Sequence, residues 1–542
     1  MLSIAALAGE PDWSRGFAVP EGGRANPYLL DDAQLTTSIR EGRIHSLHYP
    51  ITATGLLLPY DAIERLITAD SSNPLKKLLQ SFFSEFADIK NYDDLEAQIG
   101  LHKYPAQENS GPYFVPFKDG VNPPHRMGFT VQETKNGKGF TVSCAECHSA
   151  NLFGRKVIGL TNRFPQANQF FVKGLKATPN VPSALFKWST DASAAEVEMF
   201  KTAKQSMSYV EAKMPVQLGL DTSLAQVALS LAKRGQDDWS SRTENPASRA
   251  EPLRNFIADS KPAVWWNAKY KNRWLSDGSI VSGNPIFTNF LWNEIGRGTD
   301  LHELDQWLKE NANVVRDLTT AVFSSEAPHI TDFFAAEKFN LEELKRGQAT
   351  YMQHCSRCHG EYEKAWDLAN ANELSASDRL KTTLVRYTPV RPVVNVGTDP
   401  QRFQGMKSLV QLNNLAISKI NGIVVEPQQG YVPPPLVGIW ARWPYFHNNS
   451  AASLCDVLTP TAKRPQGYWA REANDREKDF DMACNGYPVD KPALNTSKDF
   501  WYDTRRIGMR NTGHDEGIFV KDGSLLISPV ERHALIKFLQ TL

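Results

Sequence analysis

Apolar positions along this chain follow two periods, and the change from one to the other marks its elements. In Gly139-Phe-Thr-Val-Ser-Cys144, Phe140 and Val142 alternate with polar residues, which predicts an extended approach to Cys144. Helical spacing predicts helices over Asp61–Ile67, Ala194–Lys213, Ser223–Lys233 and His302–Val322. Between them lies an aromatic-rich, turn-rich stretch, Ala263–Trp274. A further helix runs from Leu341 into Cys355, where Gly347, Tyr351 and Cys355 recur every fourth residue and so share one face. A glycine and an aromatic on one face permit close crossing by another helix. The last segment supplies one: Ser528-Pro-Val-Glu531 is a capping box with proline at the first helical position, followed by an apolar stripe of Leu535, Ile536, Phe538, Leu539 and Leu542.

These elements predict a mainly α fold with long loops and few short strands. The 33 prolines and 34 glycines agree with many ordered turns around smaller helical units. At 542 residues the chain is too long for one simple core, so two or three lobes are expected. The expected divisions are residues 1–110 (loops and short helices), 111–339 and 340–542. Lys+Arg and Asp+Glu both number 60, which leaves no net charge and no bias toward nucleic acid. No run of 18 apolar residues is present, so no spanning helix is expected. The start, Met1-Leu-Ser-Ile-Ala-Ala-Leu-Ala8, is apolar and ends small-x-small but lacks a basic leading region. Either the stump of a longer export signal or a frayed apolar start accounts for it.

Two pentapeptides change the picture: Cys144-Ala-Glu-Cys147-His148 and Cys355-Ser-Arg-Cys358-His359. Cys-x-x-Cys-His is the spacing of covalent c-type haem attachment, with two thiols for the vinyl groups and an adjacent imidazole for the iron. The two copies use four of only six cysteines. A zinc site needs four Cys or His ligands, and neither motif has a second pair nearby. A thioredoxin-like dithiol has no use for a histidine directly after the second cysteine in both copies. Two covalently bound haems are therefore expected, with His148 and His359 on the irons. The expected location is periplasmic or secreted, because this attachment occurs by export in bacteria. Cys455 and Cys484 remain, either as a disulfide of an oxidising compartment or as two buried thiols. Together with the attachment motif, the Leu341 and Ser528 helices match the cytochrome c arrangement, so roughly Asn340–Leu542 is expected to be a cytochrome c-type domain carrying insertions.

The opposite face of each iron decides between electron transfer and substrate binding. After His148 the next histidine is His302, and the next methionine is Met199. His102, His125 and Met127 would have to fold back, and His125 in Asn-Pro-Pro-His125-Arg-Met reads as a turn residue. The first iron is expected to be open. After His359 the candidates are His447, Met509, His514 and His533. His533 has charged neighbours and reads as a surface residue. Glycines around His514 let the backbone approach a flat macrocycle, which favours His514, with Met509 next.

Arg126-Met-Gly-Phe-Thr-Val, Cys144-Ala-Glu-Cys-His, Pro434-Pro-Leu-Val-Gly-Ile-Trp-Ala-Arg-Trp-Pro-Tyr-Phe-His447-Asn-Asn-Ser and Asn511-Thr-Gly-His514 together carry a resemblance. The chain resembles the dihaem c-type cytochromes related to bacterial rubber oxygenase, a group distantly similar to the dihaem cytochrome c peroxidases. The likeness covers most of the chain from about residue 110. It implies His514 as the second iron's distal ligand, His447 as a neighbour of that haem's propionate or edge, and Trp265-Trp266 as a segment near or between the haems. For a tryptophan pair, core packing is the plainer reading. Peroxidases of that kind place a removable histidine soon after the first motif. This chain has none there, which moves the expectation toward an oxygenase-like first haem.

The expected protein is thus an exported dihaem redox enzyme. His148, with Trp265 and Trp266 nearby, marks the site where O2 or H2O2 reacts, and the second haem relays electrons. An apolar organic substrate and an electron-donor protein or small redox carrier are its expected partners. A peroxidase or a pure electron-transfer cytochrome are the alternatives.

Overall fold

The computed structural model describes residues 10–48, 55–82, 86, 88–242, 253, 254, 256–489 and 500–542, so the apolar Met1–Ala8 segment lies outside the described residues. The fold is mainly helical, with short strands in two- and three-stranded antiparallel sheets and no closed barrel among the described residues. No described helix is long and apolar enough to cross a membrane.

The helix leading to the second motif spans Leu341–His354. It opens on Asn340, whose side chain accepts the Glu343 N–H at 3.1 Å and satisfies one of the free amide groups of the first turn. The terminal helix, Pro529–Gln540, starts on a reciprocal box: Glu531 N–H donates to Ser528 Oγ at 3.2 Å, and Ser528 N–H donates to the Glu531 carboxylate at 2.7 Å. The two helices cross at Gly347, and Tyr351 packs on Phe538 with ring centroids 5.3 Å apart. A similar crossing joins Asp32–His48 to Ala312–Phe323, where a β-carbon on Gly42 would stand 2.0 Å from the Asp317 carbonyl oxygen.

Leu58–Pro59, Gly137–Val142 and Phe129–Thr134 form the three-stranded sheet, with Phe140 between Leu58 and Val131. The alternation before Cys144 is thus a strand. Three helices are shorter or more divided than their patterns suggest. The first ends at Ser208 and the second at Leu231. The pattern over 302–322 belongs to two helices, Leu301–Glu310 and Ala312–Phe323. At the break, Asn311 leaves helical backbone angles (φ -123°, ψ 35°) while its main-chain N–H and its side chain both donate to Trp307 O at 2.9 Å.

One buried core joins Tyr113, Leu152, Trp266, Leu344, Trp440 and Phe538, so segments from both sides of residue 340 pack together. A second surrounds Trp265, Trp274, Phe290 and Leu318. A third, around Leu66, Leu95, Phe129, Phe186 and Phe200, is built largely from residues before the first motif. Cys455 and Cys484 form a disulfide.

Candidate functional site

Both Cys-x-x-Cys-His segments are short helical turns opening into one cavity of about 1200 Å³. Its volume exceeds the ~300–1,000 Å³ of ordinary small-molecule sites. Cys144, Cys147, His148, Cys355, Cys358, His359, His447, His514 and Trp265 all line it, whereas Trp266 lies fully buried behind the wall.

At the first motif, His148 N–H donates to Cys144 O at 3.0 Å, closing the turn. The chain then makes a hairpin, Ser149–Leu152 with Arg155–Ile158. The hairpin returns the chain to Gly159, whose N–H donates to His148 O at 2.7 Å and whose carbonyl accepts Trp265 N–H at 2.9 Å. Gly159 has φ +88°, and a β-carbon there would stand 3.0 Å from Trp265 Cβ, so glycine is what lets the tryptophan sit beside the histidine. The His148 and Trp265 rings lie 6.0 Å apart. Buried Asn162 braces the motif, its side chain donating to Glu146 O at 2.7 Å.

At the second motif, His359 N–H donates to Cys355 O at 3.0 Å. Tyr362 hydroxyl donates to His359 O at 2.9 Å and accepts Leu436 N–H at 2.6 Å. His359 Nδ1–H donates to Pro434 O at 2.8 Å, which leaves Nε2 as the free, electron-donating nitrogen. His514 lies opposite, with ring centroids 6.1 Å from His359 and planes inclined at 58°. Two imidazoles bonded to one metal at about 2 Å each place their centroids roughly 6 Å apart, so this pair fits the two faces of one haem iron. Burial lowers both rings from the ordinary histidine value, His514 to about 3 with His359 as a further cause; neutral imidazole is the ligand form.

The glycine beside His514 serves a different contact from the expected one. Gly513 packs on the 396–398 backbone, where a β-carbon would stand 2.2 Å from Gly397 C, and His514 N–H donates to Val396 O at 2.7 Å. His514 itself has φ +57°. The close approach is thus backbone to backbone, and it holds the imidazole toward the cavity by its own main chain.

His447 stacks on Tyr431, with centroids 4.0 Å apart. Tyr431 donates its hydroxyl proton to Asp399 O, so its oxygen accepts from His447 Nε2–H at 2.9 Å. Met509 is fully buried away from the cavity, accepting Tyr502 hydroxyl at 3.2 Å, and His533 is half-exposed beside Glu343. On the first side, His125 is held by Glu96 at 2.6 Å, and neither His102, His125 nor Met127 lines the cavity. Among the described residues no imidazole stands to His148 as His514 stands to His359.

Trp266 indole N–H donates to Val437 O at 2.8 Å, and Asn267 Nδ2 donates to Pro435 O at 3.0 Å. Residues 265–267 therefore touch the first imidazole on one side and, on the other, the 434–437 segment that holds the second. Sequence reasoning missed two features of this cavity. One is an apolar annex beside the first motif, walled by Leu58, Leu66, Leu75, Phe140, Phe170 and Phe186. Its residues sit on short, separate elements with no shared period. The other is a group of cations, Lys261 and Lys271 on either side of the 265–270 turn with Arg442 from a distant segment.

The donor set suits covalent haem better than the alternatives. Burial raises the Cys144 thiol to about 11 and the Cys355 thiol to about 12, the opposite of an activated redox dithiol. Among the described residues no three His, Cys, Asp or Glu side chains cluster as a bare metal ion needs.

Comparison with known proteins points the same way. Residues 430–470 match the model of a family described as RoxA-like, cytochrome c-like, which supports a RoxA-like cytochrome with covalently bound haem. The chain is 29% identical to the uncharacterized protein y4iJ of Sinorhizobium fredii over 36% of this chain and 38% of that one. It is 40% identical to the uncharacterized protein y4iM of the same organism over 18% of this chain and 22% of that one. The matches thus span well under half the length of either relative.

Proposed function

We propose that this chain is an exported dihaem cytochrome of the rubber-oxygenase type, reacting with O2 or H2O2 beside His148 and relaying electrons through the His359 side. When bound, c-type haem supplies the redox-active iron for both tasks. The observation that carries the reading is the asymmetry of the imidazoles: His359 has the His514 ring at 6.1 Å, while among the described residues the ring beside His148 is that of Trp265.

The residues divide the work accordingly. Pro434 O fixes the tautomer of His359, and the Val396 bond anchors the main chain from which the His514 ring faces it, which favours a relay site closed to other ligands. Cys144 and Cys147 tether the reactive site, and Gly159 keeps Trp265 against His148. Trp265 and Trp266 link the two imidazoles through Val437 and the peptide backbone to Pro434, a covalent and hydrogen-bonded route for electrons. The apolar annex excludes water and favours an apolar organic substrate. The disulfide agrees with export to an oxidising compartment.

Intact mass of the denatured protein, with EPR of the native ferric protein, tests this. The expected result is chain mass plus two haems, with one high-spin and one low-spin iron. A single haem, or two low-spin irons inert to both oxidants, would leave an electron-transfer cytochrome instead.

A further inference from the structure

Three cations, Lys261 and Lys271 on either side of the 265–270 turn and Arg442 from a distant segment, meet in the cavity wall, and among the described residues none of them pairs with an acid. Lys261 Nζ donates to Pro444 O at 2.6 Å and to Arg442 O at 3.2 Å. Arg442 donates to Pro435 O at 3.2 Å, and its Nε is buried without a partner. Among the described residues Lys271 makes no side-chain hydrogen bond, and it lines the cavity with the other two. Among the described residues none of the three forms an ion pair. Burial, and Arg442 beside each lysine, lowers both lysines, Lys271 to about 8. Assembling like charges in a partly dry wall costs free energy that backbone carbonyls repay only in part. An anion in the cavity would repay it.

The position of the group indicates which anion. Lys261 lies four residues before Trp265, the ring beside His148. Arg442 acts electrostatically on His359, and its carbonyl accepts from Lys261. One cluster thus stands between the two motifs. We infer that Lys261, Lys271 and Arg442 are the carboxylate-binding site of the cavity, receiving propionates from both covalently attached haems and coupling the two irons electrostatically. This rests on the dihaem reading above. It accounts for a neutral polypeptide accepting groups that bring several negative charges.

The test uses the holoprotein and its reduction potentials. A cation near an iron favours the reduced form, so removing one shifts the potential negative. Lys271→Gln and Arg442→Gln should each lower both midpoint potentials, Arg442→Lys should restore them, and Lys201→Gln, on the exposed surface, should change neither. Should Arg442→Gln fold poorly, Lys271→Gln decides alone, because among the described residues its ammonium holds no hydrogen bond. Two haems by mass with only one potential moved, or none, would overturn the shared site. A saturable shift of the wild-type potentials on adding acetate would also overturn it, because a free anion would then occupy the cluster. A mass without two haems would instead remove the dihaem reading itself.

Discussion

Gly347 meets Ala534 so closely that a β-carbon on Gly347 would lie 2.0 Å from the Ala534 carbonyl oxygen. This contact lets the helix that carries the second motif cross the terminal helix backbone to backbone. Gly347→Ala should therefore destabilise the protein by about 1–3 kcal/mol through overpacking. Gly174, also helical but with nothing within 4 Å of a β-carbon, is the control. Gly174→Ala should stabilise by up to about 1 kcal/mol through helix propensity. Thermal unfolding of the holoprotein measures both, and equal effects would show that the crossing is not tight in solution.

That crossing was legible in the sequence because its signals are local: a four-residue spacing on one helix, a capping box and an apolar stripe on the other. The attachment motifs were legible for the same reason. The split at Asn311 was not, because one residue with non-helical backbone angles breaks a pattern that stays apolar on both sides. Neither the apolar annex nor the cation group has a sequence signature. Leu58, Phe140 and Phe186 meet only through tertiary packing, as Arg442 meets the Lys261–Lys271 stretch. The role of Gly513 was misplaced because a glycine reports close approach without naming what approaches.

Distal ligation separates His514 from His447. His514→Ala should convert the second iron from low-spin to high-spin, because His514 alone pairs with His359 across the cavity. His447→Gln should leave that iron low-spin, because His447 stacks on Tyr431 instead. EPR reads both, and the reverse pattern would exchange their roles.

His447 also predicts an acid response. Burial, with Arg402 and Lys261 adding to it, lowers its folded pKa to about 3. An unfolded histidine titrates near about 6.5. Between these values the unfolded chain binds a proton that the folded one does not, so stability rises with pH. The contribution is complete above the unfolded value and is lost as pH falls toward the folded one. His447→Gln should make stability fall less steeply between pH 6.5 and 3, as measured by denaturant unfolding across that range. An unchanged slope would mean that His447 is already charged in the fold.

Trp266→Phe keeps the ring in the core and removes only the N–H that donates to Val437 O. If electrons pass from the 265–266 pair into the 434–437 segment, this variant should slow electron exchange between the haems and leave both ligation states intact. Rapid mixing with a one-electron reductant, followed at the two haem absorption bands, measures the rate. An unchanged rate would return Trp266 to a packing role.

The sharpest difference between the two sites is access. At the second site His359 and His514 face each other across the cavity, the first held by a ring bond to Pro434 O and the second by a main-chain bond to Val396 O. An exogenous ligand there would have to displace an imidazole held by its own main chain. At the first site His148 has no imidazole counterpart among the described residues, and the same cavity is also walled by Phe140 and Phe170. Cyanide or imidazole should therefore perturb one haem spectrum and spare the other. The responding signal should vanish in His148→Ala and persist in His514→Ala, which would open a second binding iron rather than close the first. Widening the annex with Phe170→Ala should speed cyanide entry without changing the spectrum of the complex. If both irons resist cyanide in the wild type, the reactive site does not lie beside His148.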